Sequence, residues 1–236
     1  IPLDSARGKQ TTRVWAEAGV SMAALVRETG KRGLAGLEWA GGLPGTVGGA
    51  VRGNAGAFRG EIKDAITQVE ALDGKGKRKT FSLKECQFGY RSSIFKGKNM
   101  VVLGATFQLR KGARAAIQAV AKDHIHYRKE RHPLEFPNAG SIFKNCDLKK
   151  VPKALREAMK DVIKVDPFPV IPAAALIARA ELKGLRLGDA QVSEKHPNYM
   201  VNLGNARAND VIGLIARVKK LIKKKFGVLL EEEISF

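Results

Sequence analysis

The sequence is poor in features that mark several large classes of protein. It has two cysteines in 236 residues, Cys86 and Cys146, with no paired spacing, so neither a disulfide framework nor a zinc site is expected. Apolar runs such as Met100-Val101-Val102-Leu103 are far too short to cross a bilayer, which takes about 20 residues. Aromatic residues make up only 6 %, and they do not interleave with the basic clusters as a base-stacking surface requires. Residues 1–10 lack the apolar core of a secretory signal. Acidic residues are scarce against basic ones, 23 to 42, for a formal charge of +19. These absences leave a soluble, reduced, cytoplasmic protein as the expectation.

What is present describes a folded chain. Apolar residues at 44 % and charged residues at 28 % are ordinary for globular proteins, and the length allows one large domain or two modest ones. The lysines and arginines are spread over 75–79, 128–131, 149–153 and 219–225. A solvated basic surface is the plain reading of such spread charge. It would also attract nucleotides and other polyanions.

Residues 12–18 alternate as a strand does, and Ser21 is placed to cap a short helix ending near Gly33. Residues 41–60 are dense in glycine, too dense for regular structure, yet Val47, Ala50, Val51 and Phe58 imply order. Strands at 66–72 and 80–83 flank a hairpin turn at Asp73-Gly74-Lys75-Gly76. The best strand is 100–109, followed by a basic helix over 111–131. Helices are expected at 152–162 and 172–179, and a strand at 199–203. The clearest helix is 210–226, with Val211, Leu214, Ile215, Val218, Leu221 and Ile222 in one stripe and Gly227 as its cap. A last strand is expected at 228–234. The fold class is α+β.

Five segments carry residue types suited to chemistry. In Gly41-Gly42-Leu43-Pro44-Gly45-Thr46-Val47-Gly48-Gly49-Ala50, backbone N–H groups can approach a ligand closely because no Cβ intervenes. A tight glycine turn under a sheet is an almost equal reading. In Tyr90-Arg91-Ser92-Ser93-Ile94-Phe95-Lys96, Arg91 is suited to grip a carboxylate, although alone it reads as a surface ion-pair partner. Ser141, in Asn138-Ala139-Gly140-Ser141-Ile142-Phe143-Lys144-Asn145, lacks the context of a hydrolase nucleophile and alone reads as a turn serine. Gln191-Val192-Ser193-Glu194-Lys195-His196-Pro197-Asn198 is a polar cluster before a strand. Glu231-Glu232-Glu233 closes an otherwise basic chain and alone reads as a solvent-facing run. His124 and His126 point to different helix faces, His132 and His196 stand isolated, and no metal is expected.

Taken in order, these segments resemble the UDP-N-acetylenolpyruvoylglucosamine reductases. The likeness rests on Gly36-Leu37-Glu38-Trp39 running into the glycine segment and Asn54-Ala55-Gly56-Ala57. It extends through the Tyr90 to Lys96 motif, Gly140 to Asn145, Ala190 to His196, and the ending Lys225 to Ile234. It implies FAD and NADPH as cofactors and reduction of the enolpyruvyl ether of UDP-N-acetylglucosamine to UDP-N-acetylmuramate, in peptidoglycan synthesis. Hydride would pass from NADPH to the flavin and then to the outer enolpyruvyl carbon. Arg91 and Glu233 would stabilise the enolate-like charge, Glu233 best if protonated, and Ser141 would deliver the proton to the adjacent carbon. Gly45, Thr46, Gly48, Gly49, Asn54 and Gly56 would lie near the flavin. Tyr90, Lys144 and Asn145 would face the UDP-sugar.

The resemblance also implies a division. Residues 1–112 correspond to the second lobe of a two-lobed FAD-binding domain, and 113–236 to a smaller α+β substrate-binding domain. The family's preceding lobe, whose loop holds the FAD pyrophosphate, has no counterpart before Thr11. The chain is therefore expected to be a fragment with an incomplete flavin site. A monomer is expected, with neither membrane nor nucleic acid as partner. The alternative is a degenerate, non-catalytic relative that binds nucleotides or nucleic acid. Pro172-Ala173-Ala174-Ala175, Glu181 and Asp189 depart from the family pattern, and all lie apart in sequence from Arg91, Ser141 and Glu233.

Overall fold

One face of the central strand of the first half is wholly core: Ala105, Phe107 and Leu109 are all within 1 % of full burial, at the two-residue period of a pleated strand. The computed structural model describes residues 11–166 and 168–235, so the reading of 1–10 lies outside the described residues. In chain order come β1 (Thr11–Glu17), α1 (Met22–Lys31), β2 (Leu34–Ala35), α2 (Val47–Gly53), β3 (Gly56–Ala57), β4 (Gly60–Glu61) and β5 (Ile66–Leu72). They are followed by β6 (Arg78–Ser82), the one-turn α3 (Ile94–Gly97), β7 (Val101–Lys111) and α4 (Arg114–Arg131). The antiparallel sheet is ordered β1-β7-β5-β6, with β2 also on β7. Helix α1 begins where the Ser21 hydroxyl accepts from Ala24 N at 3.2 Å. It buries Met22, Leu25, Val26 and Thr29, the three-and-four spacing of a single helical face. The β5–β6 turn is held by Asp73, whose carboxylate accepts from Lys75 N and Lys77 N, both at 3.0 Å. Lys79 stands 2.8 Å away and, with those N–H groups, pulls the carboxyl down to about 2.

Two expectations need correction here. The glycine-dense segment is not irregular, since it contains α2 and the β3–β4 hairpin. Burial of Val47, Ala50 and Val51 outweighs a helix cost of about 1 kcal/mol per glycine. Helix α4 starts at Arg114 rather than 111, because Lys111 is still paired in the sheet, opposite Leu34.

The chain divides into two compact units, Ile1–Arg128 and Lys129–Phe236, where the sequence places its boundary after residue 112. Most of α4 belongs to the first unit for visible reasons. Ile117 is buried, His124 Nδ1 lies 2.8 Å from Glu38 O, and Arg128 Nε donates to Gly41 O at 3.0 Å.

The second unit contains β8 (Asn138–Ser141), β9 (Cys146–Asp147), α5 (Lys153–Ala158), β10 (Val170–Ile171) and α6 (Ala173–Arg179). After these come β11 (Arg186–Leu187), β12 (Ala190–Val192), β13 (Tyr199–Asn202) and α7 (Ala208–Phe226). Its main sheet is ordered β11-β12-β13-β8, and β9 and β10 form a separate ribbon. Helix α7 buries Leu214, Ile215, Val218 and Ile222, at about 1.5–3 kcal/mol for each fully buried side chain. Asp210 reaches back to accept from Arg207 N, and Gly227 caps the end at φ +69°. The helix expected over 152–162 is α5 followed by a 3₁₀ turn at Lys160–Val162. The strand expected at 228–234 does not form. Val228 and Leu230 are buried there, but the only pairing of the segment among the described residues is a single bridge between Glu232 and Phe143. Among the described residues no helix is long and apolar enough to cross a membrane.

Candidate functional site

In the first unit the glycine segment is laid against the β1–α1 connection. Val47 N donates to Val20 O at 2.8 Å, Gly48 N to Ala18 O at 2.9 Å, and Met22 N to Gly45 O at 3.0 Å. A Cβ on Gly48 would stand 2.8 Å from that of Ala18, so this approach excludes a side chain. Gly45 serves differently. It is exposed, has φ +96°, and no heavy atom lies within 4 Å of where its Cβ would be. Gly45, Thr46 and Gly49 thus present an open backbone face, while Gly48 anchors it from behind.

Arg91 sits at the tip of a tight turn in which Gly89 and Ser92 exchange backbone hydrogen bonds at 3.0 and 3.2 Å. Its Nη2 donates to Gly56 O at 2.6 Å, and its guanidinium lies 5.0 Å from the centre of the Tyr90 ring. Asn54, fully buried, locks this turn to α2 and β4. Its Nδ2 donates to Glu61 Oε2 at 3.0 Å and to Gly89 O at 2.9 Å, and its Oδ1 accepts from Lys63 N at 3.1 Å. With both amide hydrogens used inside the protein, Asn54 acts as a strut. Ser93, also buried, donates to Arg52 O at 2.7 Å. Of the described non-glycine residues with positive φ, Asn54, Phe58, Arg59, Gln87 and Arg91 fall in these two joined segments, leaving only Glu181 elsewhere. Such strain persists where surrounding contacts over-determine the backbone. Replacing Asn54 by alanine is expected to cost about 3 kcal/mol, from lost buried hydrogen bonds and a left-handed residue that Ala tolerates poorly. Urea unfolding reads this as a lower midpoint. An unchanged midpoint would show that Asn54 is not a strut.

In the second unit Ser141 ends β8 opposite Tyr199 of β13. The next residue ties these segments together: Ile142 N donates to Asn198 O and Glu233 N donates to Ile142 O, both at 2.8 Å. The fold therefore brings Ser141 and Glu233 to one backbone junction, although nearly the whole second unit separates them in sequence. Lys144 N donates to Glu231 O at 2.8 Å and its Nζ pairs with Glu231 Oε1 at 2.6 Å. Lys219 pairs with Glu232 at 2.7 Å, so the acidic ending is engaged rather than simply solvent-facing. Asn145 Oδ1 accepts from Ala173 N at 3.2 Å, at the start of α6.

Two features escape the sequence reading. His132 and His196 are not isolated: their rings lie 5.3 Å apart, and His132 Nδ1 is 3.0 Å from Tyr199 OH. Burial, then the nearby charges of Lys164 and Lys183, holds the His196 imidazole below its ordinary value. Asn198, 4 % exposed, sits in the quoted polar cluster, yet a buried asparagine looks like a turn residue in sequence. Both cysteines are free. Burial pushes the Cys86 thiol up to about 12 and that of Cys146 to about 11, so neither is a nucleophile near neutral pH. Among the described residues, no group of three or more His, Cys, Asp or Glu could hold a metal ion.

Residues 6–82 match the FAD binding domain family. Residues 132–236 match the C-terminal domain family of UDP-N-acetylenolpyruvoylglucosamine reductase. The chain is 43 % identical over 222 residues to the UDP-N-acetylenolpyruvoylglucosamine reductase of Syntrophus aciditrophicus, covering 94 % of this chain and 64 % of that protein, just under two thirds of its length. It is 42 % identical to the reductase of Carboxydothermus hydrogenoformans, covering 94 % of this chain and 67 % of the relative. The crystal structure of UDP-N-acetylenolpyruvylglucosamine reductase from Thermus caldophilus is similar at TM-score 0.74 and 33 % identity, over 94 % of this chain and 71 % of that one.

Proposed function

Because the chain belongs to the UDP-N-acetylenolpyruvoylglucosamine reductase family, we propose that it carries the machinery for reducing UDP-N-acetylglucosamine enolpyruvate to UDP-N-acetylmuramate, with FAD and NADPH. The observation that carries this reading is the junction at Ile142, whose carbonyl accepts from Glu233 N and which directly follows Ser141 in the chain. In this reading the flavin lobe is the first unit, which runs past the expected residue 112 to Arg128, and the second unit is the substrate domain. The exposed backbone of Gly45, Thr46 and Gly49 fits one side of a flavin cradle, with Gly48 packing it from behind and Asn54 and Gly56 framing it. When bound, the flavin supplies a hydride to the outer carbon of the enolpyruvyl double bond.

The chain's own residues do the rest. Addition at that carbon drives negative charge onto the substrate carboxylate, and Arg91 offers guanidinium donors that Gly56 O and Tyr90 hold in place. Glu233 shares this stabilising role, and Ser141 Oγ gives its proton to the carbon beside the carboxylate. Tyr90, Lys144 and Asn145 face the nucleotide-sugar. The excess of cations favours the approach of FAD, NADPH and the UDP-sugar, all polyanions. The reaction belongs in the cytoplasm, where NADPH and nucleotide sugars are supplied, and a single chain holds every residue invoked.

The test is a visible spectrum of the purified chain with FAD in excess, since the flavin site is expected to be incomplete. A flavin band that NADPH bleaches and the enolpyruvyl sugar restores is the expected result. A band that NADPH bleaches but the sugar never restores would overturn the substrate assignment.

A further inference from the structure

The polypeptide leaves regular pairing just beyond Ser141. Strand β8 faces β13 with a register shift between Tyr199 and Val201, and beyond Ser141 one residue of the loop before β13, Asn198, makes three hydrogen bonds to Ile142 and Phe143. Its backbone carbonyl accepts from Ile142 N at 2.8 Å. Its side-chain Oδ1 accepts from Phe143 N at 3.0 Å, and its Nδ2 donates to Phe143 O at 2.8 Å. Ile142 and Phe143 are each 1 % exposed, so water is badly placed to replace these bonds. Any residue could offer the carbonyl. Only a carboxamide at this reach answers both the N–H and the C=O of Phe143. The peptide held this way is the one whose carbonyl, Ile142 O, accepts from Glu233 N.

We propose that Asn198 is a positioning residue for the reduction: by clamping Phe143 on both sides it holds Ser141 and Glu233 at their common junction. This rests on the function proposed above, and the two can fail separately. Asn198 has no place among the reacting groups, because its carboxamide is consumed by the backbone.

The experiment uses the full chain with Asn198→Ala, and with Asn198→Asp as the milder variant should the first fail to fold. Aspartate keeps the acceptor for Phe143 N–H and loses the donor. Amide exchange followed by NMR needs no cofactor. The Phe143 and Glu233 amides are expected to exchange about tenfold faster, on the loss of one hydrogen bond's net stabilisation, while Val218 in the core of α7 stays protected. Glu233 is the decisive probe because it makes no bond to Asn198. Unchanged protection there would overturn the proposal.

In the second readout, NADPH-reduced protein is mixed with the enolpyruvyl sugar. Re-oxidation at saturating sugar should slow about 100-fold, the scale of a small misplacement of reacting groups, with little change in the half-saturating concentration. In a Ser141→Ala background the same substitution should add less than about threefold, since the group it positions is already gone. Full multiplication of the two effects would reduce Asn198 to a stabilising residue and overturn the proposal. If the parent chain is not re-oxidised by the sugar at all, the function is wrong, and amide exchange alone decides whether Asn198 sets the junction.

Discussion

Replacing Ser141 by alanine is expected to slow re-oxidation of the NADPH-reduced protein by the enolpyruvyl sugar by about 10²- to 10⁴-fold, the contribution of a positioned general acid. Bleaching of the flavin band by NADPH should proceed at the parent rate. The asymmetry follows from where Ser141 sits. It lies in the second unit, at the end of β8, and in the proposed mechanism it takes part in the proton step alone. The substitution should be structurally mild, because the junction is held by backbone bonds of Ile142 and Phe143 that no serine hydroxyl supports. Stopped-flow absorbance separates the two half-reactions. Equal slowing of both, or of neither, would remove Ser141 from the mechanism.

The second large effect is expected at Arg91. Substitution by methionine keeps much of the side chain's bulk and removes the donors that, in the proposed mechanism, meet developing charge. Turnover should fall about 10²- to 10³-fold, as for loss of a preorganised oxyanion donor. Lysine should rescue little. A point charge reproduces neither the planar fork nor the combination of Gly56 O and the Tyr90 ring that fixes it. Steady-state kinetics would place the loss in kcat if the contact matters in the transition state, and in KM alone if Arg91 only binds the ground-state carboxylate. A lysine variant as active as the parent would contradict the role assigned here.

Much of this fold was legible because local signals agreed with tertiary structure. Helix α7 announced itself through its apolar stripe and Gly227, and the β5–β6 hairpin through Asp73 and Gly76. The glycine segment was misread because backbone entropy argues against a helix there, while burial of Val47, Ala50 and Val51 against the rest of the unit cannot be seen in sequence. The ending failed for a different reason. Val228 and Leu230 alternate as in a strand, but the hydrogen bonds that would make one depend on a partner far back in the chain. Pairwise site features were legible only one residue at a time. Arg91, Ser141 and Glu233 each read as ordinary surface or turn residues when taken alone and stood out only through the ordered motifs, whereas the Asn54 lock and the Asn198 clamp are contacts between distant segments.

The strained lobe around Arg91 has a consequence for directed evolution. Arg59 and Gln87 are exposed residues in the left-handed region, where glycine fits without the steric penalty of a Cβ. A library screened for heat resistance alone would find such replacements rewarding. Each would also free the backbone that presents the guanidinium, so thermal survivors should drift toward a floppier and slower lobe. Selection schemes for this chain would therefore need an activity gate from the first round.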